Sequence, residues 1–435
     1  MKDTGIASPS APDASHASSP RMTPWRFVLV FGVVSLLMDF VYEGARSVTG
    51  PLLAHLGASA LVVGLVTGAG EAAALGLRLV SGPLADRTHR FWAWTLAGYA
   101  LTAITVPVLG LASALWAACA LVIAERVGKA VRSPAKDTLL SHATAATGRG
   151  RGFAVHEAMD QVGALLGPLT VAGTLALTGG DYVPALGVLA LPGVAALALL
   201  VRLRARVRDP VVYEMGDNAV REPPAPEQRT SPRLPRAFWV YAVFTAATMV
   251  GFATFGVLSY HLVQRHLLPP AAVPVLYAAA MAADAVAALA TGWLYDHCGI
   301  RALVALPLLA ATVPALAFTD TLGPAVLGAL LWGAAVGVQE STLRATVADL
   351  VPTGRRATAY GVFAGVMGAA TLAGGVLTGA LYEVSVPALI ITVAAIQAAA
   401  LALLVATRGP RPPRTGAAVG GDGHPAGSGP CRFER

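Results

Sequence analysis

The stretch SGPLADRTHR at residues 81–90 brings a glycine, a proline and four ionisable side chains into a chain that is otherwise largely apolar. The stretch TGWLYDHCGIR at residues 291–301 repeats this arrangement, and its Gly292 follows Gly82 by 210 positions. A polar cluster that returns after about half of the chain indicates that the protein consists of two related halves.

The composition places most of the chain in a membrane. Of its 435 residues, 55% are hydrophobic and only 13% are charged, whereas a soluble domain carries about a quarter charged residues. The apolar runs are about 20 residues long, as a bilayer-crossing helix requires, and they lack the alternation of barrel strands. We therefore predict an all-α membrane protein with twelve transmembrane helices, at residues 27–48, 58–82, 91–112, 114–133, 152–176, 182–201, 238–259, 272–294, 301–319, 322–346, 357–380 and 384–406.

The positions of the basic residues predict the topology. Of the 31 Lys and Arg residues, 25 lie in the two tails and one alternating set of connections, whereas the opposite set holds only Arg265. Because Lys and Arg accumulate on the cytoplasmic side, we expect a multi-pass protein of the plasma or inner membrane with both termini in the cytoplasm. This topology accounts for the net charge of +7. We therefore expect the lipid bilayer as a partner, and no nucleic acid.

Polar intervals divide the chain into predicted units. The longest internal one is rich in proline and arginine and separates two sets of six predicted helices. We expect a disordered N-terminal tail, an N-terminal six-helix bundle, a cytoplasmic linker, a C-terminal six-helix bundle and a disordered C-terminal tail at residues 1–23, 24–201, 202–236, 237–407 and 408–435, respectively.

The two halves match beyond the opening motif. Arg132 and Asp137 close the fourth predicted helix, and Arg344 and Asp349 close the tenth at an offset of 212 positions. Matches at a nearly constant offset indicate two parallel six-helix repeats, which are typical of transporters that bind their solute between the halves.

The repeated polar motif predicts a latch at the cytoplasmic face. Asp86 is placed to accept hydrogen bonds at a helix N-terminus, where the free N–H groups favour an anion. Arg87 and Arg90 are expected to pair with Asp137, and such contacts are worth only about 0.5–2 kcal/mol each. Bonds of that strength suit a latch that opens during transport. The alternative is a simple turn whose charges only set the topology.

The motifs resemble those of the major facilitator superfamily. Its signature in the loop between the second and third helices is Gly-x-x-x-Asp-Arg/Lys-x-Gly-Arg/Lys-Arg/Lys, and His89 and His297 depart from it. The positions that match in the two halves are Gly82, Asp86, Arg87 and Arg90, and Gly292, Asp296, Gly299 and Arg301. The resemblance implies two pseudo-symmetric six-helix bundles around a central cavity, and secondary transport of a small solute.

A partial motif on the fifth predicted helix favours export. It resembles a signature of antiporters in this superfamily, matched at Gly163, Gly167 and Pro168, although Val171 and Ala172 replace its glycine pair. Small residues with a proline make a bendable, closely packed helix. Helix packing without any bearing on direction is the alternative interpretation.

Ionisable residues within the predicted helices are candidate proton and solute ligands, because each costs about 2.5–3.5 kcal/mol to insert into a bilayer. The resemblance places several of them at the central cavity. Asp39 is the first choice for the proton carrier and Glu125 the second, since a buried carboxyl readily holds a proton. The alternative is structural ion pairing, as in Glu43–Arg46 or Glu340–Arg344. The candidates are Asp39, Glu43, Arg46, Glu71, Glu125, Arg126, His156, Asp160, Asp284, Glu340 and Arg344.

Together these patterns predict a proton-coupled carrier, expected as a monomer, that moves a small solute by alternating access. Proton antiport with export is favoured, because acidic residues outnumber basic ones in mid-membrane. Proton symport of an organic anion held by Arg46 or Arg126 is the alternative, followed by a receptor on the same fold. No nucleotide-binding loop, metal-ligand spacing or nucleophile–base set is found, so we expect no cofactor, no metal and no enzyme activity.

Overall fold

The computed structural model describes residues 22–210, 212–215, 234–352 and 355–406, which form helices and short connections. Both predicted tails and most of the predicted linker lie outside these residues, as does the side chain of Arg344. Among the described residues, ten segments are long and apolar enough to cross a membrane. One of them, Pro270–Ala317, contains two separate helices, so the crossing count of twelve stays a prediction.

The first half contains one helix or a pair of helices for each predicted span. Side-chain oxygens cap several of these helices, as when Ser59 accepts a hydrogen bond from the Val62 amide at 3.4 Å. The helices are α1 (Pro24–His55), α2 (Ala60–Gly76), α3 (Arg78–Thr88), α4 (Phe91–Gly110), α5 (Leu115–Thr147), α6 (Arg149–Leu177), α7 (Tyr182–Gly187) and α8 (Ala190–Arg206).

The second half repeats this order after a short linker helix, α9 (Val212–Met215). Short 3₁₀ turns at Pro270–Ala272 and Gly299–Val304 flank the helix of its second span. The helices are α10 (Arg236–Val250), α11 (Phe255–Gln264), α12 (Val273–Cys298), α13 (Ala305–Ala317), α14 (Leu322–Leu350), α15 (Arg356–Val384) and α16 (Val386–Ala406).

The main correction to the predicted spans concerns α5, which runs on to Thr147 instead of ending at residue 133. Arg132, near the predicted end, and Lys136, beyond it, therefore both lie well inside the helix. Both side chains meet a carboxylate of another helix: Arg132 lies 3.8 Å from Asp39, and Lys136 lies 3.6 Å from Asp160. These partners explain why the helix continues through charges that hydropathy alone assigns to a loop.

The seventh predicted span is broken. Residues 251–254 separate α10 from α11, and the carbonyl oxygen of Ala253 accepts a hydrogen bond from the indole of Trp332 at 2.8 Å. A Cβ at Gly374 on α15 would lie within 3.2 Å of three carbonyl oxygens at this break, so α15 packs directly on it. Broken helices in membranes are tolerated where other protein groups satisfy the freed backbone.

The two halves are in close contact at one end of the bundle. We call this end, which carries the α1–α2 connection and the end of α15, the outer end; the inner end carries Pro24 and Ala406. A Cβ at Gly64 on α2 would overlap with the carbonyl oxygen of Gly375 on α15. Glu383 accepts a hydrogen bond from the Leu61 amide at 2.8 Å across the halves. The structure is therefore closed at its outer end.

We expect Gly64→Val to open the outer end. The added side chain has no room against Gly375, and overpacking of this kind costs about 1–3 kcal/mol. A cysteine in place of Thr49, which lines the central cavity, should then react faster with a membrane-impermeant maleimide added from the outer side. Gly76→Val is the matched control, because a Cβ there meets nothing within 4 Å. Equal labelling rates in the two variants would contradict the expectation.

Most of the first-half motif lies in α3, with Asp86 near the end of this helix and not at a helix N-terminus as predicted, and it makes fewer contacts than expected. Asp86, Arg87, Arg90 and Asp137 are exposed, and no described ion pair joins either arginine to Asp137. Two other bonds connect these helices, since the Ser81 hydroxyl donates to the Ala130 carbonyl at 2.7 Å and Arg78 donates to Ser133 at 3.3 Å.

The second-half motif also lacks the ion pairs expected of a latch among the described residues. The Asp349 carboxylate accepts a hydrogen bond from the Tyr295 hydroxyl at 2.7 Å, while Asp296 and Arg301 are exposed. A Cβ at Gly292 would meet nothing within 4 Å. The expected inner latch is thus not formed in this conformation, as an outer-closed state requires if the latch opens during transport.

Candidate solute and proton site

A cavity of about 600 Å³ lies between the two halves. Its first-half wall is polar and charged, whereas its second-half wall is largely apolar and aromatic. Residues of the broken span, including Phe252 and Thr254, line it as well. Its charged lining residues are Arg46, Glu71, Arg78, Arg126, Lys129 and Glu340. Four of these six are basic, so the described lining carries an excess of positive charge.

The charged wall is built around Tyr42 on α1. The Tyr42 hydroxyl accepts hydrogen bonds from Arg126, from Lys129 at 2.8 Å and from Arg46 at 3.3 Å. The cations of Arg126 and Lys129 also lie over the Tyr42 ring, 4.7 Å and 4.1 Å from its centroid. A phenol ring stabilises cations in both ways, through its oxygen and through its negative face. Tyr42 therefore gathers three cations at one point of the cavity wall.

Glutamates balance part of this charge. Glu71 lies 3.1 Å from Arg46 and 3.4 Å from Arg126. Glu43 lies 3.6 Å from Arg46, which confirms that expected ion pair, and Glu125 lies 3.4 Å from Arg126. Each of these carboxylates is thus in contact with a guanidinium, which is the kind of partner that a buried carboxylate requires.

Lys129 differs from the two arginines. Its described contacts are both with Tyr42, and no carboxylate lies within ion-pair distance of its amine among the described residues. Lys129 also lines the cavity. Lys129 is thus the cation of this cluster that is most available to a bound solute.

The Glu43 carboxylate joins the two halves. It accepts a hydrogen bond from the hydroxyl of Tyr277 on α12, and both residues are buried. A movement of α12 against α1 would break this bond, so the charged wall is linked to the relative position of the halves.

A second ionic cluster holds α1, α4, α5 and α6 together away from the cavity. Asp39 pairs with Arg132 at 3.8 Å, and Arg132 also lies over the ring of Tyr99, 4.8 Å from its centroid. Asp160 lies 3.6 Å from Lys136 and 3.7 Å from His156. Asp39, the first choice for the proton carrier, therefore lies in a structural ion pair outside the cavity lining.

The second half contains two carboxylates, Asp284 and Glu340, for which no ion pair is described. Asp284 on α12 is only 3% exposed, and its Oδ1 atom has no hydrogen-bond partner among the described residues. Glu340 on α14 lines the cavity, and no hydrogen bond or ion pair of this side chain is described. The expected Glu340–Arg344 pair involves a side chain outside the described residues.

The glycine motif of the fifth span has a clear packing role. A Cβ at Gly163 would overlap with the Leu36 carbonyl oxygen, and one at Gly167 with that of Phe40. These glycines allow α6 to pack directly against α1, with Pro168 inside the helix. The tight contact predicted for this motif is present, and its bearing on transport direction stays a prediction.

Sequence reasoning missed part of the site. It did not single out Tyr42, Lys129, Tyr277 or Trp332 as functional residues. Lys129 offered a usable signal, because it lies one turn after Glu125 and Arg126 on the same helix. The aromatic residues gave none, since an aromatic side chain in an apolar run resembles any other core residue.

A cofactor site is not evident. Across residues 22–210, 212–215, 234–352 and 355–406, no group of three or more His, Cys, Asp or Glu side chains is arranged to hold a metal ion. What the geometry defines is a helical membrane protein with a charged cavity between its two halves, the architecture of a transporter.

Comparison with known proteins gives the same class. A family model described as Major Facilitator Superfamily matches residues 31–321 and 249–429. Uncharacterized proteins of Mycobacterium bovis and Mycobacterium tuberculosis are 64% identical over 395 residues, covering 91% of this chain and 96% of theirs. The chain therefore belongs to the major facilitator superfamily, and it is a multi-pass secondary transporter with a small-molecule substrate.

Solved structures support this fold. The nucleoside transporter NupG has a TM-score of 0.66 at 13% identity, covering 88% of this chain and 100% of that chain. A bacterial homolog of the human lysosomal transporter Spinster, in an inward-facing and unoccupied conformation, has a TM-score of 0.62 at 16% identity. The match covers 89% of this chain and 95% of that chain. At these identities the likeness concerns the fold alone.

Proposed function

We propose that this transporter is proton-coupled and that Asp284, with Glu340 beside the cavity, carries the proton. The observation behind the proposal is a carboxyl group that is buried at the boundary between the halves without a cationic partner among the described residues. An unpaired buried carboxylate is costly, whereas a neutral carboxylic acid is tolerated. Such a group is suited to bind a proton when buried and to release it when water reaches it.

The charged surroundings of Asp284 support this role. The groups that act on it are Glu340 on α14, Glu43 and Arg46 on α1, and Glu157 on α6. Three of these four groups are acidic, so the charges around Asp284 favour its neutral form. Because α1 and α6 belong to the other half, movement between the halves changes the field at Asp284 and can drive proton release.

Two transport directions follow from different observations. Export by proton antiport is favoured by the partial antiporter signature on α6, whose glycines pack closely against α1. Uptake by proton symport is the second candidate, because the described cavity lining has four basic and two acidic residues. The acid excess that favoured export in the sequence is not found in this lining.

The test uses purified protein in liposomes with a pH-sensitive dye inside. Solutes that the protein carries are first identified by uptake from a compound library, and each is then added outside without a pH gradient. Solute entry with internal acidification indicates symport, and solute entry with alkalinisation indicates antiport. Transport of every identified solute without proton movement would contradict the proposal, and a receptor on this fold would show no transport at all.

We further propose that the protein acts as a monomer in the plasma or inner membrane with both termini in the cytoplasm. The distribution of Lys and Arg supports this orientation. Reporter fusions to the first and last residues should both be active only in the cytoplasm, and an active periplasmic or external reporter at either end would contradict it.

A further inference from the structure

We infer that the solute is an amphipathic organic anion, with one acidic group and an aromatic or branched apolar body. The inference rests on the proposed function only in taking the central cavity as the solute site. It comes from the opposite character of the two cavity walls, which offer cations on one side and apolar rings on the other.

The first-half wall recognises the acidic group. Lys129 lines the cavity, and its amine has no carboxylate partner within ion-pair distance among the described residues. Arg46 and Arg126 converge on the same Tyr42 hydroxyl, so an anion beside Lys129 would lie next to three cations. A solute cation would face repulsion at this point, and a neutral solute would leave the Lys129 charge without a counter-ion.

The second-half wall recognises the apolar body. Trp332 lies 5.2 Å from Phe255 and 6.2 Å from Phe252, measured between ring centroids, and all three line the cavity. The indole N–H of Trp332 is bonded to the Ala253 carbonyl, which fixes the ring. Phe363 and Met367 extend the same wall. Fixed rings next to a thioether offer a contact surface that suits an aromatic or branched group.

The size of the cavity and one polar lining residue, Gln339, indicate two further properties of the solute. A volume of about 600 Å³ lies within the range of pockets that hold drug-sized ligands. Gln339 is 9% exposed, and its amide nitrogen has no hydrogen-bond partner among the described residues. This donor is available to a carbonyl or ether oxygen on the solute.

An anionic solute would also favour the symport direction. Glu340 lines the same cavity, and a negative solute repels its carboxylate. Protonation of Glu340 removes this repulsion, so proton and solute bind cooperatively. Cooperative binding carries both ligands in the same direction.

The test compares three probes that share one ring system and differ in charge: 1-naphthoate, 1-naphthylmethanol and 1-naphthylmethylammonium. Each is added to the purified full-length protein in detergent, and the rise in the thermal unfolding midpoint is measured, because binding to the native state stabilises it. Naphthoate alone should raise the midpoint, and acetate, which lacks the apolar body, should not. The inference would be overturned if the ammonium or the alcohol raised the midpoint as much as naphthoate does. It would also be overturned if none of the probes raised it.

Two variants localise the binding. Lys129→Gln should weaken naphthoate binding about tenfold or more, since it removes one partner of a buried charge pair, whereas Lys129→Arg retains a cation and should bind normally. Unchanged affinity in Lys129→Gln would also overturn the inference. Naphthoate binding is measured at equilibrium without a pH gradient, whereas proton coupling is measured by the dye in liposomes, so a failure of proton coupling and a failure of this solute assignment give different results.

Discussion

Asp284→Asn is expected to abolish accumulation driven by a pH gradient while solute exchange continues. Asparagine keeps the shape of the acid but cannot release a proton, so the variant remains in the neutral form at every pH. A gradient of one pH unit supplies about 1.4 kcal/mol per proton, or a concentration ratio of about tenfold. In the variant we expect this ratio to fall to about one.

The measurement is uptake of a transported solute into liposomes with and without the gradient, together with exchange of labelled for unlabelled solute. Asp39→Asn is the matched control, because Asp39 pairs with Arg132 away from the cavity lining. That variant should keep its response to the gradient even if it is less stable. Loss of the response in Asp39→Asn and its retention in Asp284→Asn would assign the proton to the first-half cluster instead.

Arg126→Gln is expected to destabilise the protein more than any other single change at the charged wall. Arg126 is buried and forms ion pairs with Glu71 and Glu125, each at 3.4 Å. It also donates a hydrogen bond to the Tyr42 hydroxyl. Without it Glu125 loses the one cation described within 4 Å of it. Removing one partner of a buried ion pair costs about 3–5 kcal/mol, because the other charge stays buried and uncompensated.

Thermal unfolding in detergent measures this effect, and the double variant Arg126→Gln/Glu125→Gln is its control. With the buried carboxylate neutralised, the double variant should recover part of the lost stability, which a double-mutant cycle quantifies. A double variant less stable than Arg126→Gln would show that the Glu125–Arg126 contact is not the source of the loss. Neither variant is expected to transport normally, since Arg126 lines the cavity.

The sequence predicted the helices well where the only requirement was an apolar stretch. Runs of about 20 apolar residues must be helical in a bilayer, because lipid satisfies no backbone hydrogen bond. It failed at α5, where Lys136 and the polar residues that follow it indicated an end at residue 133. Whether a helix tolerates such charges depends on partners from other helices, here Asp39 and Asp160, and a local window does not contain them.

The candidate site shows the same division. Sequence reasoning identified every buried carboxylate now described, because an ionisable group in an apolar run is conspicuous. It ranked Asp39 first, whereas the structure makes Asp284 the unpaired acid. The ranking depends on which carboxylates have a cation within about 4 Å, and those distances join residues that are remote in the chain, such as Arg126 and Glu71.

By itself the sequence determined the membrane-spanning helical fold and its internal repeat, since both follow from hydrophobic length and from motifs at a constant offset. It also pointed to the ionisable groups within the apolar runs as candidate site residues. Only the tertiary structure decided which of them are neutralised in pairs, which end of the bundle is closed, and that cations and aromatic rings face each other across the cavity. Pairing and closure arise from contacts between helices, and their energies depend on distances that no one-dimensional pattern contains.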